Sequence, residues 1–88
     1  MPTIAYFYGI AIRMFLNDHN PPHFHAIYGE CEGRVVISTG EVVDGYLPKH
    51  AARLVKEWTL AHKAELMDNW ARARSAAPLK KVQGLDAE

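Results

Sequence analysis

The hydrophobic pattern of this chain changes its period at Pro48, and that change limits the folds open to it. Before Pro48, apolar residues alternate along the chain, as in Ile10–Leu16, which is the pattern of a half-buried strand. A proline is well suited to the first turn of a helix. After it, helical spacing relates Ala51, Leu54, Val55, Trp58 and Ala61. Strands followed by helices predict an α+β domain.

The alternating pattern in residues 3–46 predicts a small antiparallel sheet of about four strands. The extended segments are Thr3–Tyr8, Ile10–Leu16, His23–Tyr28, Arg34–Ser38 and Glu41–Asp44. Gly9 separates the first two by a bulge or a tight bend. Gly29–Gly33 is a polar connection, and Thr39-Gly40 is a two-residue hairpin turn.

The second part of the chain predicts two helices, at about 48–61 and 63–74, packed on one face of the sheet. At about 100° per residue, the apolar set beyond His62 rotates away from the stripe that contains Trp58. At 88 residues, we expect one domain over 1–85 and a tail at 86–88. One of the tryptophans, Trp58 or Trp70, is expected to stay at the surface and cover a homodimer or small protein partner.

The cysteine count and the net charge indicate the cellular compartment and the binding partners of the protein. The single cysteine, Cys31, cannot form an internal disulfide, so we expect a cytoplasmic protein. The apolar segment Ile4–Leu16 is interrupted by Arg13 and is shorter than the about 20 residues that a membrane span needs. The net charge is zero, which removes the general attraction to nucleic acid and leaves that partner undecided.

The stretch Asn17–His25 contains three of the five histidines. On a strand, His23 and His25 lie on one face with Cα atoms about 6.5–7 Å apart, so both rings can reach one metal ion. His19 or Asp18 becomes a third ligand if the loop containing Pro21-Pro22 folds back. Three ligands and an open position describe a catalytic zinc site, and other divalent transition metals also accept imidazole.

Two other interpretations of the same residues stay open. A pair of imidazoles can supply an acid and a base without metal, with Arg13 or Arg34 binding a phosphate. Alternatively, the histidines only fix the loop through hydrogen bonds to backbone carbonyls. The predicted catalytic residues are Asp18, His19, His23 and His25, with Arg13 as the anion binder; the predicted metal ligands are His19, His23 and His25.

Several segments resemble the short bacterial proteins of domain-of-unknown-function family 4160. They are Pro2–Ile4, Tyr6–Ile10, Asn17–Ala26, Thr39–Glu41, Leu47–Lys49, Asn69-Trp70 and Pro78–Lys81. The resemblance implies a bacterial cytoplasmic protein that is the toxin-like component of a two-component, toxin–antitoxin-type module, with the motif histidines as its site. The alternatives are a metal-binding protein or small metal-dependent hydrolase, and a non-catalytic interaction module.

Overall fold

The structure, a computed structural model, describes residues 2–86 and contains five strands and two helices in that part of the chain. They are β1 (Thr3–Phe7), β2 (Ile10–Arg13), β3 (His23–Tyr28), β4 (Cys31–Val36), β5 (Val42–Gly45), α1 (Lys49–Ala61) and α2 (Lys63–Arg74). The strands form one antiparallel sheet in chain order. The predicted α+β class is confirmed, and the helix bounds are within one residue of prediction. Of the predicted tail, Ala87 and Glu88 lie outside the described residues.

The sheet has five strands rather than about four because the chain reverses fully at Gly9. Tyr8 and Gly9 both have positive φ, at 49° and 79°, which is the backbone of a tight hairpin turn. Phe7 therefore pairs with Ile10, and the first extended stretch becomes β1 and β2.

Two predicted connections are wrong. Gly29 and Glu30 alone reverse the chain, since Tyr28 pairs with Cys31, so β4 begins where a polar loop was expected. The two-residue turn at Thr39-Gly40 is replaced by a longer connection over residues 37–41. A hydrogen bond from the Gly40 N–H to the Val36 carbonyl, at 2.8 Å, stabilises that connection.

The core lies between the helices and one face of the sheet. The Trp58 ring on α1 lies 5.1 Å from the Phe7 ring and 5.7 Å from the Phe24 ring, measured between centroids, and all three side chains are fully buried. The Trp58 Nε1–H donates to the Gln83 carbonyl at 2.8 Å, so the C-terminal segment covers this ring. Trp70 is also buried, so the expectation of a tryptophan left at the surface is wrong.

Neither helix in residues 2–86 has the length and apolar character needed to cross a bilayer.

Gly45 at the end of β5 provides a test of this packing. Its φ is +76°, and a β-carbon there would lie 2.2 Å from the Glu32 carbonyl oxygen, whereas at Gly29, with φ of +59°, a β-carbon would meet nothing within 4 Å. We expect Gly29→Ala to lower the free energy of unfolding by about 1–2 kcal/mol, the cost of a left-handed alanine. Gly45→Ala adds a clash with the backbone and should lower the free energy of unfolding by more than Gly29→Ala does. Urea denaturation measures both, and equal losses would contradict the strand arrangement.

Candidate functional site

The loop between β2 and β3 folds back over the end of the sheet, as the predicted site required. Asn17 has a φ of +61°, a conformation that asparagine tolerates better than most residues, and its N–H donates to the Ala73 carbonyl on α2 at 3.0 Å. At the other end of the loop, the Pro22 carbonyl accepts from the Ile37 N–H at 3.1 Å. The Asn20–Pro21 peptide bond is cis. With both ends fixed, the loop brings Asp18 against β3.

The His23 ring is the buried centre of the site, with the residue only 3% exposed. Its Nδ1 lies 2.7 Å from the Pro21 carbonyl oxygen and its Nε2 lies 2.9 Å from the Asp18 Oδ2. The Trp70 ring lies 5.3 Å from it, between centroids. Because a carbonyl can only accept, Nδ1 carries a hydrogen and Nε2 is the nitrogen that faces the carboxylate. A proton or a metal cation between Nε2 and Oδ2 satisfies both atoms.

The His25 ring lies beside it on the same strand, 5.6 Å from the His23 ring between centroids. Its Nδ1 lies 3.1 Å from the Glu32 Oε2 on β4, and its ring is nearly perpendicular to the Phe15 ring, with the two centroids 4.4 Å apart. The Glu32 carboxylate accepts from Nδ1, which leaves Nε2 as the nitrogen available to a ligand. His25 is partly exposed, so this half of the site is accessible.

Asp18, His23 and His25 form the compact group. Each offers one ligand atom, and these atoms all lie within 4.8 Å of one another. Ligand atoms in a tetrahedral zinc site are about 3.3–3.5 Å apart, so small side-chain movements bring the three onto one ion. Two imidazoles and a carboxylate leave at least one coordination position open for water or substrate.

His19 lies at the rim of the site, outside that group of three. Its side chain is 75% exposed, and its Nδ1 lies 2.9 Å from the Asp18 Oδ1. Its backbone N–H donates to the same oxygen at 2.8 Å. His19 therefore contacts the carboxylate of Asp18, and its own role as a ligand or catalytic group stays a prediction.

The surroundings of Asp18 favour its ionised form. Burial acts to raise the pKa of Asp18, but the His19 N–H and the positive charge of a protonated His23 act in the opposite direction, and the net pKa lies below the ordinary value of 3.8. Asp18 is therefore a carboxylate at neutral pH, the form that binds a metal.

A concave surface of about 420 Å³ opens over the group. Besides the site residues, its lining includes the apolar side chains of Phe15 and Leu16 and the guanidinium-bearing Arg34. The predicted anion binder Arg13 lies across from His25 on β2, and its Nε is buried without a hydrogen-bond partner within residues 2–86.

Two residues of the site were not identified from the sequence. The sequence pattern predicts a loop at Glu32, whereas the two-residue turn at Gly29 puts this residue on β4 near His25. Nothing in the local sequence pattern predicts the contact of Trp70 with His23, because the two residues are 47 positions apart.

The comparisons with known proteins give a match to a protein family. The family model described as Domain of unknown function (DUF4160) matches residues 9–71, a range that includes the whole group of Asp18, His23 and His25. No curated protein and no solved structure matches the chain.

The lowered pKa of Asp18 predicts a pH-dependent stability. Ionised Asp18 stabilises the folded state above its unfolded value of 3.8, and this contribution is lost as the pH falls through the lower folded value. Asp18→Asn should therefore lower the free energy of unfolding at pH 6, and the difference from wild type should shrink below pH 3.8. Denaturation at a series of pH values measures it.

Asp68→Asn is the matched control, because hydrogen bonding to Arg72 also lowers the pKa of Asp68, but on the exposed surface. High salt should screen its effect and leave most of the Asp18 effect. A constant difference between wild type and Asp18→Asn down to pH 2.5 would contradict the prediction for Asp18.

Proposed function

The chain belongs to the DUF4160 family of uncharacterised domains, and from the geometry of its site we propose that it is a small metal-dependent hydrolase. Asp18, His23 and His25 would bind a divalent transition metal, with zinc as the first candidate. The observation that carries the proposal is that the Nδ1 atoms of His23 and His25 each face an oxygen that can accept a hydrogen bond. The Pro21 carbonyl faces Nδ1 of His23, and the Glu32 carboxylate faces Nδ1 of His25. Metal-binding histidines usually donate their second N–H to such oxygens, which fixes the ring and its ligand nitrogen.

The alternative that the histidines only fix the loop accounts for less of the site. It explains His23, which is buried between Pro21 and Asp18. It does not explain why His25, on an accessible surface, is oriented by Glu32 toward the same carboxylate. Metal-free acid–base catalysis would use the proton between His23 and Asp18, and metal content distinguishes it from our proposal.

The residues of the site have distinct parts in this proposal. A bound zinc ion would polarise the substrate and make a bound water acidic enough to attack it. Asp18 contributes the negative charge of the ligand set, and His23 is held rigidly by Trp70 and Pro21. In this proposal His19, at the exposed rim, would be the group that transfers protons between the site and solvent.

Metal content is the first test. We expect untagged protein to bind one zinc per chain and its melting temperature to rise on zinc addition. His25→Ala should abolish stoichiometric binding, and Glu32→Gln should weaken it about 10- to 100-fold because a neutral amide replaces the carboxylate that orients His25. His50→Ala is the control, since His50 contacts Tyr28 outside the group. Titration calorimetry and elemental analysis measure these effects.

The His19→Ala variant tests the predicted ligand role of His19. Loss of a direct ligand should abolish stoichiometric zinc binding, as in His25→Ala, whereas loss of its contact with Asp18 alone should weaken zinc binding without abolishing it. Substoichiometric metal in the wild type, with no change of melting temperature on adding zinc, would refute the metal site.

A toxin-like role in a bacterial, cytoplasmic two-component module is the second candidate. The sequence resemblance implies this role, and the site opens at the surface, where a substrate or a small neutralising partner protein can reach it. A second copy of the chain is the alternative partner. The metal-dependent hydrolase proposal does not depend on this role.

Growth of a bacterial host during induced expression tests the toxin-like role. We expect the wild type to arrest growth because no neutralising partner is present, and the double variant His23→Ala, His25→Ala to relieve the arrest. His25→Ala alone, which leaves the buried His23 in place, separates loss of activity from loss of folding. His50→Ala should arrest growth like the wild type. Unimpaired growth at full soluble expression of the wild type would contradict the role.

A further inference from the structure

We propose that Arg34, assisted by Arg13, binds a phosphoryl group beside His25, so that the substrates of the hydrolase are phosphate esters. This inference rests on the proposed function and names its substrate class.

The sheet places the two arginines on either side of His25. Arg13 pairs with His25 across β2 and β3, and His25 pairs with Arg34 across β3 and β4. The strand neighbours of these three, Ile12, Phe24 and Val35, are fully buried in the core. Because side chains alternate along a strand, Arg13, His25 and Arg34 all project from the opposite face, one strand spacing of about 4.8 Å apart.

Arg34 is available to a ligand at this place. It lines the surface above Asp18, His23 and His25, and it also lines an adjoining depression of about 250 Å³ next to Glu32 and Asp44. Its Nη2 lies 3.9 Å from the Asp44 Oδ2, beyond hydrogen-bond distance, and the Asp44 side chain is 74% exposed. That contact is a loose surface pair which a better acceptor can replace.

Arg13 supplies a second, independent observation. Its Nε is buried and has no hydrogen-bond partner in the described part of the chain. Buried donors are nearly always paired, so Arg13, on the strand beside His25, has an unmet donor that a phosphoryl oxygen could satisfy after a movement of the arginine side chain.

The charges on this face make anion binding depend on the metal. Three carboxylates, of Asp18, Glu32 and Asp44, outnumber the two guanidinium groups on the same face. An anion is therefore disfavoured until a divalent cation reverses the balance. A phosphoryl group has enough oxygens to meet an open coordination position and a guanidinium fork together, whereas the two oxygens of a carboxylate cannot serve both equally well.

The reaction needs no co-reactant other than water. The water oxygen forms a bond to phosphorus, the ester P–O bond breaks, and one proton of the water leaves with the alcohol product.

Calorimetric titration with two anions of similar shape tests the inference. We expect zinc-loaded protein to bind phenylphosphonate, which cannot be hydrolysed as an ester, at least tenfold more tightly than benzoate. Arg34→Gln should weaken phenylphosphonate binding at least tenfold, because a charge-assisted bidentate contact is lost, and leave zinc affinity unchanged. Arg53→Gln is the matched control, since Arg53 is exposed on α1 and lines a separate depression. Removing zinc should weaken phenylphosphonate binding by tenfold or more.

The outcomes separate this inference from the metal site. Zinc-loaded protein that does not bind phenylphosphonate, that prefers benzoate, or that is unaffected by Arg34→Gln overturns the phosphoryl site and leaves the metal site standing. If the protein binds no zinc, the metal site fails. If protein without zinc still binds phenylphosphonate and the binding depends on Arg34, the phosphoryl site is supported. If it binds neither zinc nor phenylphosphonate, the metal site and the phosphoryl site are both overturned.

Discussion

The two hydrogen bonds of the His23 ring hold the site together. A buried imidazole needs partners for both nitrogens, and here both come from the loop before β3, from the Pro21 carbonyl and the Asp18 carboxylate. If the loop moved away, each ring nitrogen would lose its partner at a cost of about 1–3 kcal/mol. The Trp70 ring and the hydrogen bond from Asn17 to Ala73 extend the same constraint to α2. The position of Asp18 is therefore coupled to the packing of the second helix.

Strand β3 serves the core and the site at once because its side chains alternate. Phe24 and Ala26 are fully buried under the helices, while His25 projects to the opposite face, which the helices leave uncovered. An antiparallel sheet with helices on one face has its other face free for polar groups. Arg13 and Arg34 occupy that free face on the neighbouring strands. The candidate chemistry thus lies on rigid strands, and one loop adds Asp18.

Periodicity predicted what depends on local pattern and missed what depends on turns and distant contacts. Alternation and helical spacing were enough for the fold class, the two helices and the common face of His23 and His25. The full reversal at Tyr8 requires positive φ in a non-glycine residue, which sequence pattern does not indicate. The burial of Trp58 depends on Gln83, 25 positions away. The loop backbone at Asn17 brings Asp18 rather than His19 into the compact group, and residue type alone could not decide between them.

The site contains one position that needs a positive charge. Nε2 of His23 and Oδ2 of Asp18 lie 2.9 Å apart, and with Nδ1 bound to Pro21 a single proton between them satisfies both. A metal ion at that position would replace the proton, so metal binding would be linked to proton release. The low pKa of Asp18 keeps its carboxylate available for the exchange. His25, which Glu32 orients on the accessible side, distinguishes a proton from a metal ion at this position. A proton shared by His23 and Asp18 needs no third ligand, whereas a metal ion does.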